Sequence, residues 1–328
     1  MDAASEKPIK AKEADAAEII SLVDNSVDFL STVNKKQVQS FRQWTRERYG
    51  QEWTRTHTQL PRAEHGLSML IRVFREGKAN IVLFDTGGSP KGIVENAERM
   101  GISLSEVECI VLSHGHYDHF GGLLSTVKAV NRVNLPIIVH EDMFEIRGTE
   151  DSKGKVRKYP EFPAEEQLSP ARIVRTKQPS LIADDMVCVT GEIPRKTSFE
   201  TGYTPHRIFL KGAWQSDPWI RDERAIAIKI KDKGLVVLSG CAHAGIINTI
   251  SYAQQITGTK KVYAVMGGFH LAGKEFENRI QPTIEALQGM NPELIVPSHC
   301  TGWRAMCAMA KVFPEAFVWN SVGNIYRF

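Results

Sequence analysis

The sequence predicts a layered α/β fold organised around one loop that follows a buried strand. Three observations carry that expectation. The apolar run Ile110 to Leu112 leads directly into His114, His116, Asp118 and His119, then Gly121-Gly122 and a helical run from Leu123. In the second half, three more apolar runs each pass through a glycine-containing turn into a helix. Each places one histidine, His243, His270 or His299, just past the strand end. Loops at strand ends of such folds are where sites are built. The composition, 42% hydrophobic and 24% charged over 328 residues, is that of an ordinary globular chain.

Taken in order, residues 1–16 are polar and read as a frayed tail. Residues 17–328 read as a single domain with insertions at about 34–62 and 195–223. Ile19 to Val23 is a first strand. The segment 35–62 carries seven Lys or Arg against two Glu, with Phe41, Trp44, Tyr49 and Trp53 on one broad helical face. A packing helix is the favoured reading; a flap over the site and an interfacial membrane helix are the alternatives. Leu67 to Phe74 and Asn80 to Phe84 form a hairpin around Glu76-Gly77-Lys78, ending in Asp85-Thr-Gly-Gly-Ser89 before a helix from about Gly92 to Met100. After the histidine loop come a helix, Leu123 to Val133, and a strand, Leu135 to Val139, closed by His140. His140 reads as a structural histidine, and residues 147–168 as an exposed excursion.

Met186 to Thr190 is a strand leading into Gly191-Glu-Ile-Pro-Arg195, after which regular patterning dissolves until Arg224. A loop of that length usually lines or covers a site. Its Phe199, Trp214 and Trp219, with Glu64 and His65 from the first half, are the candidate substrate contacts. Ala225 to Ile230 and Leu235 to Leu238 form a hairpin around Lys233-Gly234, followed by strands Val262 to Val265 and Leu294 to Val296, with helices after each.

The net charge of +3 gives no argument for nucleic acid or membrane. Five cysteines, odd in number and without Cys-x-x-Cys spacing, suit a reducing compartment. No signal pattern or long apolar run is present, so the expected setting is cytoplasmic. The expected partner is a small-molecule substrate; the oligomeric state is not set by the sequence.

Residues two apart in an extended segment point the same way, so His114 and His116 can grip one ion together. Asp118 and His119 lie beyond the bend and can face a second. Imidazole and carboxylate suit zinc, with iron or manganese as alternatives. This His-x-His-x-Asp-His pattern after an apolar strand resembles the signature of the metallo-β-lactamase superfamily. The resemblance implies a four-layer αββα sandwich and a site of one or two divalent metals where its halves meet. It further implies that Asp85 steadies a ligand histidine and that His243 and His299 complete the ligand set. His270 is left for substrate contact or proton transfer and can exchange roles with His243. Cys241 stands where many relatives carry a bridging Asp; it is an extra ligand or, as favoured, a bystander. Glu192, in Thr-Gly-Glu, is another candidate carboxylate ligand.

Glu64-His-Gly-Leu-Ser68, Thr190-Gly-Glu-Ile-Pro-Arg195, Ser239-Gly-Cys-Ala-His243, Gly267-Gly-Phe-His270 and His299-Cys-Thr-Gly302 narrow the likeness. They resemble the branch containing dihydropterin-6-methyl-(ribofuranosyl)aminobenzene 5′-phosphate synthases and related metal-dependent hydrolases. The favoured expectation is a binuclear hydrolase that generates hydroxide from water at neutral pH. It would attack a small ester, lactone or phosphodiester, with Asp118 orienting the water. One alternative is a transferase that joins a pterin methyl diphosphate to an aryl amine and releases pyrophosphate. The other is a non-catalytic binding protein with structural metals.

Overall fold

The computed structural model describes residues 8–33 and 35–328. In chain order its first half runs β1 (Ala16–Val23), β2 (Val38–Gln39), α1 (Phe41–Thr56), β3 (Ser68–Arg75), β4 (Lys78–Phe84) and α2 (Gly92–Arg99). It continues with β5 (Cys109–Val111), α3 (Tyr117–Phe120), α4 (Leu123–Val130) and β6 (Pro136–Val139). Next come β7 (Ile146–Glu150), β8 (Val156–Lys158), β9 (Arg172–Arg175), β10 (Ser180–Ile182), β11 (Val187–Val189), β12 (His206–Leu210) and β13 (Ala213–Ser216). The last part is β14 (Ala225–Ile230), β15 (Gly234–Ser239), α5 (Ile246–Thr257), β16 (Val262–Gly268), α6 (Ile280–Met290), β17 (Leu294–Ser298), α7 (Trp303–Val312) and β18 (Ile325–Arg327).

Two sheets face each other. The first has the order β2-β18-β1-β3-β4-β5-β6-β9 and the second β10-β11-β14-β15-β16-β17. Alternation along each strand sorts its side chains into two cores. Ile19, Met69, Ile71, Val82 and Phe84 meet Val187, Ile226, Ile228, Val236 and Met266 in the layer between the sheets. Ile20, Leu70, Leu83 and Ile110 pack outward against Ile93, Ala97, Leu123 and Val127 of α2 and α4. Ala225, Val237, Val265 and Ile295 pack outward against Ile250, Ile284, Leu287 and Met309 of α5, α6 and α7. Helix, sheet, sheet, helix is the four-layer sandwich that the sequence implied.

The segment 35–62 belongs to the outer layer of the first sheet. Phe41 and Trp44 are buried there, Tyr49 and Trp53 pack against the same core, and Trp44 Nε1 donates to the Gly323 carbonyl at 2.6 Å. The flap and membrane alternatives have no support in this placement. Residues 8–15 correct the frayed-tail reading: Ile9 N donates to Ile256 O, Asp15 N to Phe74 O, and Ala14 is fully buried. Residues 1–7 lie outside the described part. Two other expectations are corrected: the excursion at 147–168 is not wholly exposed, Arg147 being buried, and the stretch after Arg195 is not irregular throughout. β7 pairs with β12, and together with β8 and β13 they make a four-stranded antiparallel sheet beside the sandwich.

Candidate metal centre

The carboxylate of Asp85, at the end of β4, accepts from Ser113 N and Ser113 Oγ, both at 2.7 Å, and lies 2.7 Å from His119 Nδ1. A carboxylate only accepts, so His119 holds a proton on Nδ1 and turns Nε2 inward, 3.2 Å from Cys241 Sγ. Ser113 Oγ donates to Asp85 and therefore accepts from His114 Nδ1 at 2.9 Å. That leaves His114 Nε2 bare, 3.0 Å from His116 Nδ1. On the far side, Asn25 donates to the His299 carbonyl at 3.1 Å and presents its own oxygen to His299 Nδ1 at 3.1 Å. His299 Nε2 then faces Asp118 Oδ2 at 3.2 Å. In His114, His119 and His299 the outer nitrogen is fixed by the scaffold so that Nε2 points inward, the arrangement by which proteins orient metal ligands.

The inward atoms form overlapping groups. Those of Asp118, His119, Cys241 and His299 lie within 4.8 Å of one another, as do those of His114, Cys241 and His243, and those of Cys241, His270 and Cys300. Cys241 is common to all three. Its approach depends on Gly240, where a Cβ would stand 2.1 Å from Ser113 Oγ. His243 is held from behind by Glu223, which accepts from its backbone N–H at 2.7 Å. Burial pushes the Glu223 carboxyl up to about 7. Four non-glycine residues at these strand ends have left-handed backbone: Asp85 (φ 59°), Ala242 (58°), His270 (46°) and His299 (49°). Such strain tends to collect at functional sites.

The electrostatics split the site. Burial opposes the charge on Asp118, but His119, His299 and His65 outweigh it and hold the carboxyl far below its usual range. Burial also opposes charge on His119, yet the Asp85 and Asp118 carboxylates raise it to about 9. On the other side, burial and neighbouring rings push His114 and His243 well below their ordinary value and His116 down to about 3. The buried Nε2 atom of His243 has no hydrogen-bond partner among the described residues. A carboxylate, a thiol and several bare imidazole nitrogens converging in this way fit divalent cations.

A profile of the metallo-β-lactamase superfamily matches residues 61–184. A 7,8-dihydropterin-6-methyl-4-(β-D-ribofuranosyl)-aminobenzene-5′-phosphate synthase of Methanocaldococcus jannaschii is 32% identical over 270 residues, 81% of this chain and 90% of its own. The chain belongs to the metallo-β-lactamase superfamily. An uncharacterised protein of the same organism is 29% identical over 272 residues, 80% of this chain and 93% of its own. Among solved structures, a metal-dependent hydrolase of the β-lactamase superfamily superposes with a TM-score of 0.70 at 23% identity, covering 95% of this chain and 98% of its own. A metallo-β-lactamase fold protein of Bacillus subtilis superposes with a TM-score of 0.52 at 11% identity, covering 96% and 100% of the two chains. These two likenesses concern the fold alone.

In this superfamily member the site opens into a cavity of about 350 Å³ lined by His65, Tyr117, Arg157, Tyr159, Tyr203 and Phe276 along with His116, Asp118 and His243. The structure brings His114, His116, Asp118, His119, His243 and His299 together, and places His270 beside them, its ring centroid 4.2 Å from that of His243. His65 also reaches the cavity, with Nε2 at 3.2 Å from Asp118 Oδ2. Cys241, favoured as a bystander, stands at the centre because the Gly240 approach brings its strand end against the metal loop.

Other sequence expectations are corrected. Glu64 faces away from the cavity, accepting from the backbone of Gly88 and Ser89 and bonding Ser89 Oγ, so it ties two loops together. Glu192 lies 3.9 Å from His140 Nε2 and belongs to none of the ligand groups. Phe199 packs into the outer core of the second sheet. Trp214 packs edge-on to Phe209, and Trp219 lies under the Arg195 guanidinium. None of these three aromatics lines the cavity. Glu200 anchors the same loop by capping α5, accepting from Ile247 N at 2.7 Å and Asn248 N at 2.8 Å. Sequence reasoning missed Tyr117, Arg157, Tyr159, Phe276 and Cys300 as cavity residues. The expectation that the stretch after Arg195 lines the site holds for Tyr203, His206 and Ile220.

Proposed function

We propose that this chain is a binuclear metal-dependent hydrolase of a small ester, lactone or phosphodiester that carries an aromatic group. His114, His116 and His243 would hold one ion and Asp118, His119 and His299 the other, with Cys241 between them; zinc suits this mixture best. Ions held there would supply Lewis acidity and make an attacking water acidic enough to ionise near neutral pH. Asp118, held charged by its neighbours, would accept a hydrogen bond from that water. Tyr117, Tyr159, Tyr203 and Phe276 offer faces for a planar group, and Arg157 offers one positive charge for an anionic one.

The size of the cavity carries this reading. About 350 Å³ suits one small ligand plus water. A transferase of the pterin type must hold two phosphorylated substrates at once, and Arg157 is the only Arg or Lys lining the described cavity. The likeness to the dihydropterin synthase and the aromatic walls favour that transferase as the second reading. No described helix is long and apolar enough to cross a membrane. All five cysteines are free thiols, which supports the cytoplasmic setting.

Turnover by the metal-loaded protein on an aryl phosphodiester, a lactone, an aryl ester and a β-lactam tests this reading, with His116→Ala as blank. Metal-dependent cleavage of one class is expected. No cleavage, with pyrophosphate released from a pterin methyl diphosphate when an aryl amine is supplied, would replace it with the transferase.

A further inference from the structure

The small sheet beside the sandwich contributes one buried histidine that the metal-ligand assignment does not use. His206, the first residue of β12, is fully buried and lines the cavity. Its Nδ1 lies 2.8 Å from the Asp217 carbonyl oxygen and 3.3 Å from the Asp217 carboxylate. Both partners only accept, so the Nδ1 atom carries the proton and Nε2 is bare. That bare nitrogen lies 3.4 Å from His116 Nε2.

The tautomers then follow in sequence from the other side. Asp85 accepts from Ser113 Oγ, Ser113 Oγ accepts from His114 Nδ1, and His114 Nε2 is left bare beside His116 Nδ1 at 3.0 Å. If His116 kept its proton on Nδ1, its bare Nε2 would face the bare Nε2 of His206, two lone pairs 3.4 Å apart in a buried place. An ion shared by His114 Nε2 and His116 Nδ1 would need both nitrogens bare, which places the His116 proton on Nε2 instead. His116 then donates to His206 through Nε2 and presents a bare Nδ1 beside the bare Nε2 of His114.

We propose that His206 is a positioning residue for the metal centre: accepting from His116 Nε2–H, it selects the tautomer in which His116 Nδ1 can bind an ion. The proposal rests on the metal-site reading above. It gives the small sheet a role that its place outside the sandwich does not explain. The sheet is held in register with the metal loop by a buried ion pair, Arg147 Nη1 to Asp222 Oδ2 at 3.0 Å. The same Asp222 oxygen accepts from Gly115 N at 2.7 Å, within the metal loop itself. Asp217, which sets the His206 tautomer, lies 3.6 Å from Arg147 Nε. Strand, loop and ligand are thus fastened at one point.

The test compares zinc binding by wild-type protein, His206→Phe and His206→Gln, using competition with a chelator, with circular dichroism to check the fold. Glutamine retains an acceptor near the Nε2 position and phenylalanine does not. His206→Phe should weaken one of the two zinc sites 10–100-fold, the usual cost of losing an outer partner of a ligand histidine, and His206→Gln should recover most of that loss. A folded His206→Phe that binds both ions as tightly as wild type overturns the proposal, as does a folded His206→Gln no better than phenylalanine. Nitrogen NMR of the zinc-loaded wild-type protein decides the matter without any variant. It should show the proton of His116 on Nε2 and no proton on His206 Nε2; the reverse assignment overturns it. Failure of wild-type protein to bind zinc at all would instead refute the metal-site reading beneath it.

Discussion

The two sides of the centre are built from the same kinds of residue and held in different ways. Around Asp118, His119 and His299 the ligand atoms include a carboxylate whose charge is firmly held, and the outer nitrogens rest on Asp85 and Asn25 from the sandwich itself. Around His114, His116 and His243 the inward groups are neutral imidazoles, and the outer partners are a serine hydroxyl and a histidine from the small sheet. Only Cys241 belongs to both. The anionic side should therefore bind its ion more tightly, and the neutral side should depend on an element outside the four layers of the sandwich.

The strongest way to break this comparison is Asp118→Ala. It removes the one carboxylate among the ligand groups and should lower kcat/KM by more than the 10–100-fold typical of outer-partner losses, with loss of one ion by elemental analysis. If the variant kept two ions and its activity, the two sides would not differ as described. Next in size is Asn25→Ala, which removes the partner of His299 Nδ1 and touches no residue of the other side. It should weaken the Asp118-side ion by about 10–100-fold while leaving the other side nearly intact; equal weakening of both would contradict the separation.

A pH effect sharpens the same contrast. In the metal-free protein His119 is raised from its ordinary 6.5 to about 9 by Asp85 and Asp118, against burial. The stability this contributes is fully present below pH 6.5 and is lost as pH rises through 9. It amounts to roughly 3 kcal/mol for a fully buried group. Urea unfolding of metal-free protein should show that decline, and metal loading should remove it, because an ion then replaces the proton. A flat profile without metal would remove the electrostatic basis of the comparison.

The same contrast governs what the sequence made legible. The ligands follow strand ends, and strand ends announce themselves through apolar runs that break at glycine and histidine. Ile110 to His114 and Leu235 to His243 are such cases, and the alternation of Ile19 with Ile20, or Val236 with Val237, carries the layers. His206 gave no such signal. β7 and β12 are separated by more than fifty residues and pair only through long-range contacts, so neither shows a local pattern. Phe199, Trp214 and Trp219 misled for a related reason: aromatic content marks anchoring as readily as binding, and only the fold shows which side chains face the cavity. The smallest predicted effect follows from this. Trp214→Ala should leave KM within about twofold, whereas Tyr159→Ala should raise it several-fold, about 1 kcal/mol of lost ring contact; the opposite order would return the substrate contact to the loop.

The most direct measurement is a cobalt titration of metal-free protein, followed by absorbance. The account predicts two equivalents bound in separable steps, the tighter first, with a thiolate-to-cobalt charge-transfer band from Cys241 that disappears in Cys241→Ser. A single equivalent, or two with no thiolate band, would contradict a centre of two unlike sites joined through Cys241.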